Sequence, residues 1–419
     1  MRGMFLLVPF LVQIAAAQQP VVPPGSDHEV IQQLLERVQQ LEAEVRELKA
    51  QRAAATSNSP ESASRPAASG TPSADVSSSP APAQAMAPMT HPRSVDFAKM
   101  NFRGFSDVDF HATDRSGDTN TFALGQFNLF ITSRLSDQLS FLAEAVIEGD
   151  QRNSVGVDLE RLLLQYSASD YFNVSFGRYH TAIGWYNTAY HHSTWMQTAV
   201  GRPFLFEFED KGGILPIHNV GISATGRIPS GELGLHYIAE IGNGRTSRSP
   251  LDEPVQNVMD ENNGKALNFA LLTRPTKLQG FEAGFSIYHD NLTPQGLPNI
   301  GQTIMAVHAI YQGPAFEWLN EGLLIRNSVN GTDRVEHTPG FYTQISHKLG
   351  TLRPYFRYQY VNVPRSDLVF QDVGLMHGPS VGIRYDFSEF AAFKLQYDRT
   401  ERRNLGGFNG ITTQLSFAF

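Results

Sequence analysis

The sequence predicts an all-β fold, an antiparallel transmembrane barrel of about 16 strands, with about 14 or about 18 as the alternatives. Three observations predict it. Apolar and polar residues alternate with period two in many segments after residue 95, and the connections between those segments are short and long in turn. The chain also ends in "NGITTQLSFAF", where Ile411, Leu415, Phe417 and Phe419 share one phase. Because chain ends fray unless something holds them, this terminal strand favours a closed sheet.

The first residues have the features of a secretory signal peptide. A positive start is followed by an apolar run and by small residues at Ala15 and Ala17, which predicts a signal peptide at 1–17. An uncleaved membrane anchor is the alternative, but the apolar run is too short to span a bilayer.

The next segment, 26–52, predicts a coiled-coil helix. Ser26 and Glu29 have the spacing of a capping box. Apolar residues then repeat at alternating intervals of three and four, and they form the seam Ile31, Leu34, Val38, Leu41, Val45 and Leu48. A helix of this length is marginal alone in water, so the seam implies a partner helix. β-Branched residues at the first seam position favour a dimer, and a lone amphipathic helix is the alternative.

Composition divides the rest of the chain and excludes some functions. Residues 53–94 are rich in Ala, Ser and Pro and lack large apolar side chains, which predicts a disordered linker before a barrel at 95–419. The chain has no cysteine, so no disulfide stabilises it. Its net charge of −8 argues against nucleic acid as a partner.

The rhythm of the connections separates a membrane barrel from a soluble sandwich. Short polar breaks occur at 136–138, 167–170, 229–232, 277–280, 348–351 and 386–390, and longer ones near 112–120, 149–156, 181–216, 242–264, 290–301, 327–337, 363–378 and 400–409. A sandwich also alternates, but it gives no reason for this rhythm. A membrane barrel does explain the rhythm, because its strands run up and down between two different compartments.

With its signal peptide, alternating strands and terminal "QLSFAF", the chain resembles a Gram-negative outer-membrane porin. The resemblance implies that Leu415, Phe417 and Phe419 form the signal read by the barrel-assembly machinery. It also implies that the last strand pairs with a first strand near 101–112, with Phe419 in an aromatic girdle at the lipid interface. A coiled coil before the barrel is similar to the arrangement in sucrose-type porins and in porins tethered to the cell wall. Porins of this size are usually trimers, so the resemblance favours a homotrimer over a dimer.

The longest connection, 181–216, is the pore constriction loop that the resemblance implies. Its charged residues are Arg202, Glu207, Glu209, Asp210 and Lys211, and its aromatic residues Trp185, Tyr186, Tyr190 and Trp195 are suited to brace it. The polar phase of other strands supplies a predicted basic lumen wall, Arg103, Arg357, Arg384 and Lys394. An acidic loop facing a basic wall would create a transverse field. Alternatively, these charges are simply solvated.

Histidines in the same connection raise the question of a metal site or a catalytic one. His180, His191, His192 and His218 match no tight ligand spacing, so the sequence predicts no metal site, with His191 and His192 as weak candidates. "HHST" places a His beside a Ser, but no third orienting residue is evident for hydrolysis. No catalytic residue and no cofactor is predicted.

The sequence therefore predicts an outer-membrane channel for passive diffusion of small hydrophilic solutes, and not an enzyme. Its partners would be outer-membrane lipid and the solutes, with the N-terminal segment in the periplasm. The alternative is an outer-membrane anchor whose coiled coil binds peptidoglycan or a periplasmic partner.

Overall fold

A computed structural model of the 419-residue chain describes residues 99–149, 153–190, 192–247, 257–403 and 405–419. The predicted signal peptide at 1–17, the coiled coil at 26–52 with its seam from Ile31 to Leu48, and the linker at 53–94 lie outside the described residues. These three remain predictions of the sequence.

Sixteen antiparallel strands run through the described residues. They are β1 (Met100–Thr113), β2 (Thr121–Arg134), β3 (Leu139–Gly149), β4 (Val155–Ser169), β5 (Phe172–His180), β6 (His218–Arg227), β7 (Leu235–Gly242), β8 (Ala266–Thr273), β9 (Phe281–Leu292), β10 (Ile300–Gln312), β11 (Phe316–Val329), β12 (Val335–His347), β13 (Leu352–Asn362), β14 (Leu375–Asp386), β15 (Ala391–Arg402) and β16 (Gly406–Ala418).

Each strand pairs with the next one along the chain, and β16 pairs with β1 to close the barrel. In the closing pair Val108 lies opposite Leu415, and Phe105 lies opposite Ala418. The predicted all-β antiparallel barrel is confirmed, with 16 strands rather than the alternatives of 14 or 18. The break between β10 and β11, at 313–315, is missing from the sequence-based set because its residues "GPA" include no polar side chain, unlike each short break in that set.

The alternation along a strand separates an apolar outer face from a polar inner face. On β15 the side chains of Phe393, Leu395 and Tyr397 are 41–45% exposed, whereas Lys394 and Gln396 are 0% and 5% exposed. A soluble sheet reverses this order, because water then contacts the polar face. Apolar residues outside and polar residues inside are the pattern of a barrel surrounded by lipid.

The end of the chain is fastened to the first strand. The amide and carbonyl of Phe419 exchange hydrogen bonds with Gly104 at 2.9 and 2.8 Å. The Phe419 ring lies over Gly104, where a Cβ atom would come within 2.0 Å of it. Its centroid is 5.5 Å from that of Phe127 on β2. These contacts hold the terminus that the alternation predicts to be a strand.

Helical structure is limited to short pieces in the described part of the chain. Helix α1 (Tyr186–Ala189) lies in the connection between β5 and β6, which also contains 3₁₀ turns at Phe204–Phe206 and Glu209–Lys211; a third turn is Gly231–Leu233. Among the described residues no helix is long and apolar enough to cross a membrane.

Candidate functional site

The connection between β5 and β6, residues 181–217, lies against the inner face of the barrel; it is called the inner loop below. Its first part donates backbone amides to buried carboxylates. Ala182 donates to Glu240 on β7 at 3.0 Å. Trp185 and Tyr186 donate to the two oxygens of Glu321 on β11, at 2.5 and 2.9 Å. A carboxylate buried in this way needs such donors, because an unpaired buried charge is costly.

The middle of the inner loop is held by cations from β13, β14 and β15. Their hydrogen bonds to backbone carbonyls are Arg357 to Val200 (2.8 Å) and Gly201 (3.0 Å), Arg384 to Trp195 (2.6 Å) and Gln197 (2.9 Å), and Lys394 to Thr194 (2.6 Å). Neutral glutamines assist, since Gln359 accepts from the amide of Phe204 and Gln396 from that of Val200. The loop therefore crosses from β5 to the far side of the barrel.

This arrangement differs from the expected basic wall facing an acidic loop across open water. Arg357, Arg384 and Lys394 are 1%, 8% and 0% exposed, and each donates to the backbone of the loop, although Arg384 also pairs with the Asp386 carboxylate at 2.7 Å. Arg103 lies apart from them, exposed near the start of β1. Pairing a buried cation with carbonyl oxygens is a way to satisfy its donors without a carboxylate. The sequence places these residues on the inner face, but it contains no signal for their partners.

The apolar side of the inner loop packs against the wall behind it. Ile183, Leu205 and Phe206 are buried in a cluster that also contains Ile304 and Leu319 of the inner wall. The aromatic residues cross at steep angles, with ring centroids 5.1 Å apart for Trp185 and Tyr190 and 5.9 Å apart for Tyr186 and Tyr342. Burial raises the pKa of Tyr186 to about 12, so its hydroxyl stays protonated and donates to Gln197.

A cavity of about 220 Å³ remains between the other side of the inner loop and strands β1 to β3. Its lining contains the carboxylates of Asp107, Asp109, Glu148 and Glu207. The Lys211 amine of the loop lies 3.0 Å from the Glu148 carboxylate on β3, so an ion pair bridges the loop and the wall. This cavity is the candidate functional site, because it combines polar lining with access to solvent.

The five predicted constriction residues differ in their exposure to solvent. Glu207 and Lys211 are accessible to solvent, whereas Arg202 and Glu209 are buried. The Arg202 guanidinium lies 4.1 Å from the Phe208 ring centroid and donates to the carbonyl of Phe206. Burial lowers the pKa of Arg202, and the neighbouring Tyr186 and Glu207 oppose that shift. The side chain of Asp210 lies outside what the structure describes.

Behind the inner loop, Glu160 meets three of the four histidines that the sequence analysis considered together without predicting a metal site. Glu160 of β4, His180 of β5, His192 of the loop and His218 of β6 offer ligand atoms that all lie within 4.8 Å of one another. Glu160 Oε2 is 3.2 Å from Nε2 of His192 and 2.6 Å from Nε2 of His218. His191, the other weak candidate, lies outside the described residues.

A β-bulge turns Glu160 inwards. In the β3–β4 ladder Glu144 pairs with Arg161 and Ala145 with Leu159, so Glu160 is the extra residue. The exposed apolar positions of β4 consequently change phase, from 155, 157 and 159 to 162, 164 and 166. Bulges re-aim side chains in this way. That change of phase is visible in "VGVDLERLLLQY", and it is the sequence signal that could have identified Glu160.

Gly177 has the same effect on β5. Its φ is +130°, and a Cβ atom there would lie 1.9 Å from the carbonyl oxygen of Leu162. Phe176, just before it, is exposed, whereas Arg178 and His180 in the same alternate phase are buried. The glycine therefore allows the end of β5 to direct both side chains inwards.

The closed barrel of antiparallel strands has the fold of solved outer-membrane porins and channels. Solved structures agree on the fold. An anion-selective porin from Comamonas acidovorans matches with a TM-score of 0.56 and 12% identity, over 77% of this chain and 100% of that one. The outer-membrane channel DcaP of Acinetobacter baumannii matches with 0.54 and 12%, over 77% and 97%. The trimer form of OmpT, an outer-membrane protein of Vibrio cholerae, matches with 0.51 and 11%, over 77% and 99%.

The likeness is confined to structure. No family model matches the sequence, and no curated protein matches it. At these identities the solved structures establish a porin-like fold for residues of the barrel and do not establish a solute.

Proposed function

We propose that this protein is an outer-membrane channel through which small hydrophilic solutes diffuse passively, with a lumen narrowed by the inner loop. The observation that carries the proposal is the position of that loop. Cations of β13 to β15 fasten it to one side of the barrel, and a polar cavity remains on the side of β1 to β3.

A fixed loop suits a diffusion channel better than a moving plug does. The loop is bound through its backbone to three separate parts of the wall, by Glu240 on β7, Glu321 on β11 and Arg357 on β13. Releasing it would leave buried charges without partners, which is costly. The constriction therefore keeps a constant size, and no energy source or gate is needed for passage.

The charge around the cavity favours cations. Lys211, the one accessible Lys or Arg in this lining, is paired with Glu148, so Asp109 and Glu207 supply the excess negative charge on the cavity. Fixed charge at a constriction raises the local concentration of counter-ions, and side-chain charges select ions in many channels. We therefore propose a cation preference at low salt.

Single-channel conductance of the refolded protein in a planar bilayer, under a salt gradient, tests the function. Steady stepwise openings with a reversal potential of cationic sign are expected. Correctly folded protein that gives no openings would refute the channel and leave a closed barrel.

The homotrimer and the location in the outer membrane belong to the same proposal. The exposed apolar belt fits a lipid environment, and one structure of similar fold is described as a trimer. Light scattering in detergent would distinguish a trimer from the dimer that the seam residues favour.

The anchor function predicted from the coiled coil also remains a proposal, since residues 26–52 lie outside the described range. Cosedimentation of the full chain with peptidoglycan sacculi, compared with a chain lacking residues 26–52, would test it. A binding difference between the two chains would support the anchor in addition to the channel.

A further inference from the structure

The four-residue group behind the inner loop is buried, and its ligand atoms face one another. Glu160, His192 and His218 are 3%, 4% and 2% exposed. Glu160 Oε2 lies 2.6 Å from Nε2 of His218 and 3.2 Å from Nε2 of His192, and within the described residues these three atoms have no hydrogen-bond partner outside the group. Buried polar atoms are normally satisfied, so atoms that face only one another need a proton or a metal ion between them.

Two of the imidazoles are oriented from outside the group. His218 Nδ1 lies 3.2 Å from the Glu209 carboxylate, and His180 Nδ1 lies 3.1 Å from the backbone carbonyl of Asn187. A proton on Nδ1 satisfies either contact and leaves the lone pair of Nε2 directed into the group. Metal-binding histidines are held by carboxylates and carbonyls in this way.

Other hydrogen bonds and ring contacts hold Glu209 and His192 in position. Glu209 also accepts from the backbone amide of His218 and from the side-chain amide of Asn257, both at 2.9 Å. His192 stacks on Phe208 with centroids 4.2 Å apart and planes 5° from parallel. The ring of His192 is therefore held flat against the loop, with one edge towards Glu160.

We propose that Glu160, His180, His192 and His218 bind a divalent transition-metal ion, with zinc the best match. Three imidazoles and one carboxylate form a four-coordinate set of the type that zinc accepts, whereas calcium and magnesium require oxygen ligands. Neighbouring ligand atoms of a tetrahedral zinc site are about 3.4 Å apart. Here they lie within 4.8 Å, so small side-chain rotations complete the site.

Charges of both signs surround the group. Glu160 and Glu209 contribute two negative charges, and the Arg178 guanidinium lies 3.9 Å from the Glu160 carboxylate. Arg202 and Arg245 also lie near these carboxylates, so the four ligand atoms, and not an excess of negative charge, would hold the ion. Arg178 also donates to the backbone carbonyl of Glu160 at 3.0 Å, which fixes the bulge that presents this carboxylate.

The site would connect four separate parts of the chain. Its ligands come from β4, from the end of β5, from the inner loop and from the start of β6. A metal ion there would pin the loop on the cavity side, opposite the attachment by Arg357, Arg384 and Lys394. The inference does not depend on conduction, because metal binding can be measured whether or not the barrel passes solutes.

The alternative to a metal ion is a proton that His218 shares with the neighbouring carboxylates. His218 lies between Glu160 and Glu209, and a doubly protonated imidazole could pair with both carboxylates. The two explanations differ in a direct observable, since only the first gives stoichiometric metal retention.

The test uses the full chain, refolded in detergent with chelator and then passed through a desalting column after addition of zinc. Elemental analysis should find about one zinc per folded chain. His192→Gln and His218→Gln should lower the affinity about 100-fold or more, and Glu209→Gln about 10–100-fold, as expected for an outer contact. His289→Gln is the matched control, because His289 is exposed on β9 and bonds only to Thr303 in this structure.

Cobalt in place of zinc gives a readout that needs no variant. The wild-type chain should show the visible absorption of tetrahedral cobalt(II), and zinc should displace it. Folded wild-type protein that retains no zinc and shows no such absorption would overturn the proposal in favour of the shared proton. Equal zinc retention by wild type, His192→Gln and His218→Gln would overturn it as well.

Discussion

The guanidinium of Arg357 on β13 donates to the backbone carbonyl of Val200, 2.8 Å away in the middle of the inner loop. This contact joins residues 157 positions apart in the sequence. It shows what the inward-facing cations do: Arg357 attaches a segment of backbone to the wall, and Arg384 and Lys394 make contacts of the same kind. Removing such a cation should therefore change the position of the loop as well as the charge of the lumen.

Arg357→Gln should loosen the inner loop. A hydrogen bond to a charged group contributes about 1.5–3 kcal/mol. The carbonyls of Val200 and Gly201 both lose the guanidinium here, although Gln396 still donates to Val200. We expect a lower unfolding temperature and single-channel currents that are larger and noisier than those of the wild type. Thermal unfolding and planar-bilayer recordings measure both. Arg227→Gln is the control, because Arg227 is exposed at the end of β6; identical traces for the two variants would contradict the anchoring role.

Glu207→Gln should reduce the preference for cations. Glu207 lies on the cavity with Asp109 and Glu148, so its neutralisation weakens the negative field there. The reversal potential in a salt gradient should move towards the anionic side. The shift should be largest near 0.01 M salt and small near 1 M, since the Debye length falls from about 30 Å to about 3 Å.

Glu232→Gln provides the matched control for this measurement. Glu232 sits in the turn between β6 and β7, and its side chain is 66% exposed and paired with Lys277. The same change of charge at that position should leave the reversal potential unaltered. Equal shifts for both variants would mean that net charge, and not the cavity, sets the selectivity.

The architecture was predictable from the sequence because it follows from a repeated local pattern. Phe393, Leu395 and Tyr397 alternate with Lys394 and Gln396, and no long-range information is needed to assign their faces. The short and long connections then give the number of strands to within two. The break after β10 shows the limit, because "GPA" contains no polar side chain to mark it as a turn outside the strands.

The interior was less predictable, because it depends on contacts between distant residues. The sequence assigns Lys394 to the inner face, but its partner is the carbonyl of Thr194, and a carbonyl has no sequence signature. Glu160 was missed for a different reason. A bulge adds one residue to β4, and strict alternation assigns that residue to no face.

Gly104 and Phe419 should behave as a coupled pair in barrel closure. A methyl group at Gly104 would meet the Phe419 ring at 2.0 Å, so Gly104→Ala should displace the ring and lower the yield of folded barrel. Phe419→Ala removes the obstacle together with the aromatic anchor. Because residues in contact couple, the double variant should fold no worse than Phe419→Ala alone.

The shift between heated and unheated samples on a gel measures the folded fraction for these variants. Strict additivity of the two single effects would contradict the coupling. The matched control is Gly156→Ala, since a Cβ atom at Gly156 would meet nothing within 4 Å.

Gly177→Ala should destabilise the barrel and displace the end of β5. The backbone there has a φ of +130°, and the new Cβ atom would approach the Leu162 carbonyl oxygen to 1.9 Å, where no flexible side chain can give way. The strained backbone alone costs about 1–3 kcal/mol. Arg178 follows directly, so its hydrogen bond to the Glu160 carbonyl should weaken as well. Chemical unfolding should therefore show a lower midpoint for Gly177→Ala than for Gly156→Ala, and equal midpoints would mean that β5 accommodates a side chain at this position without strain.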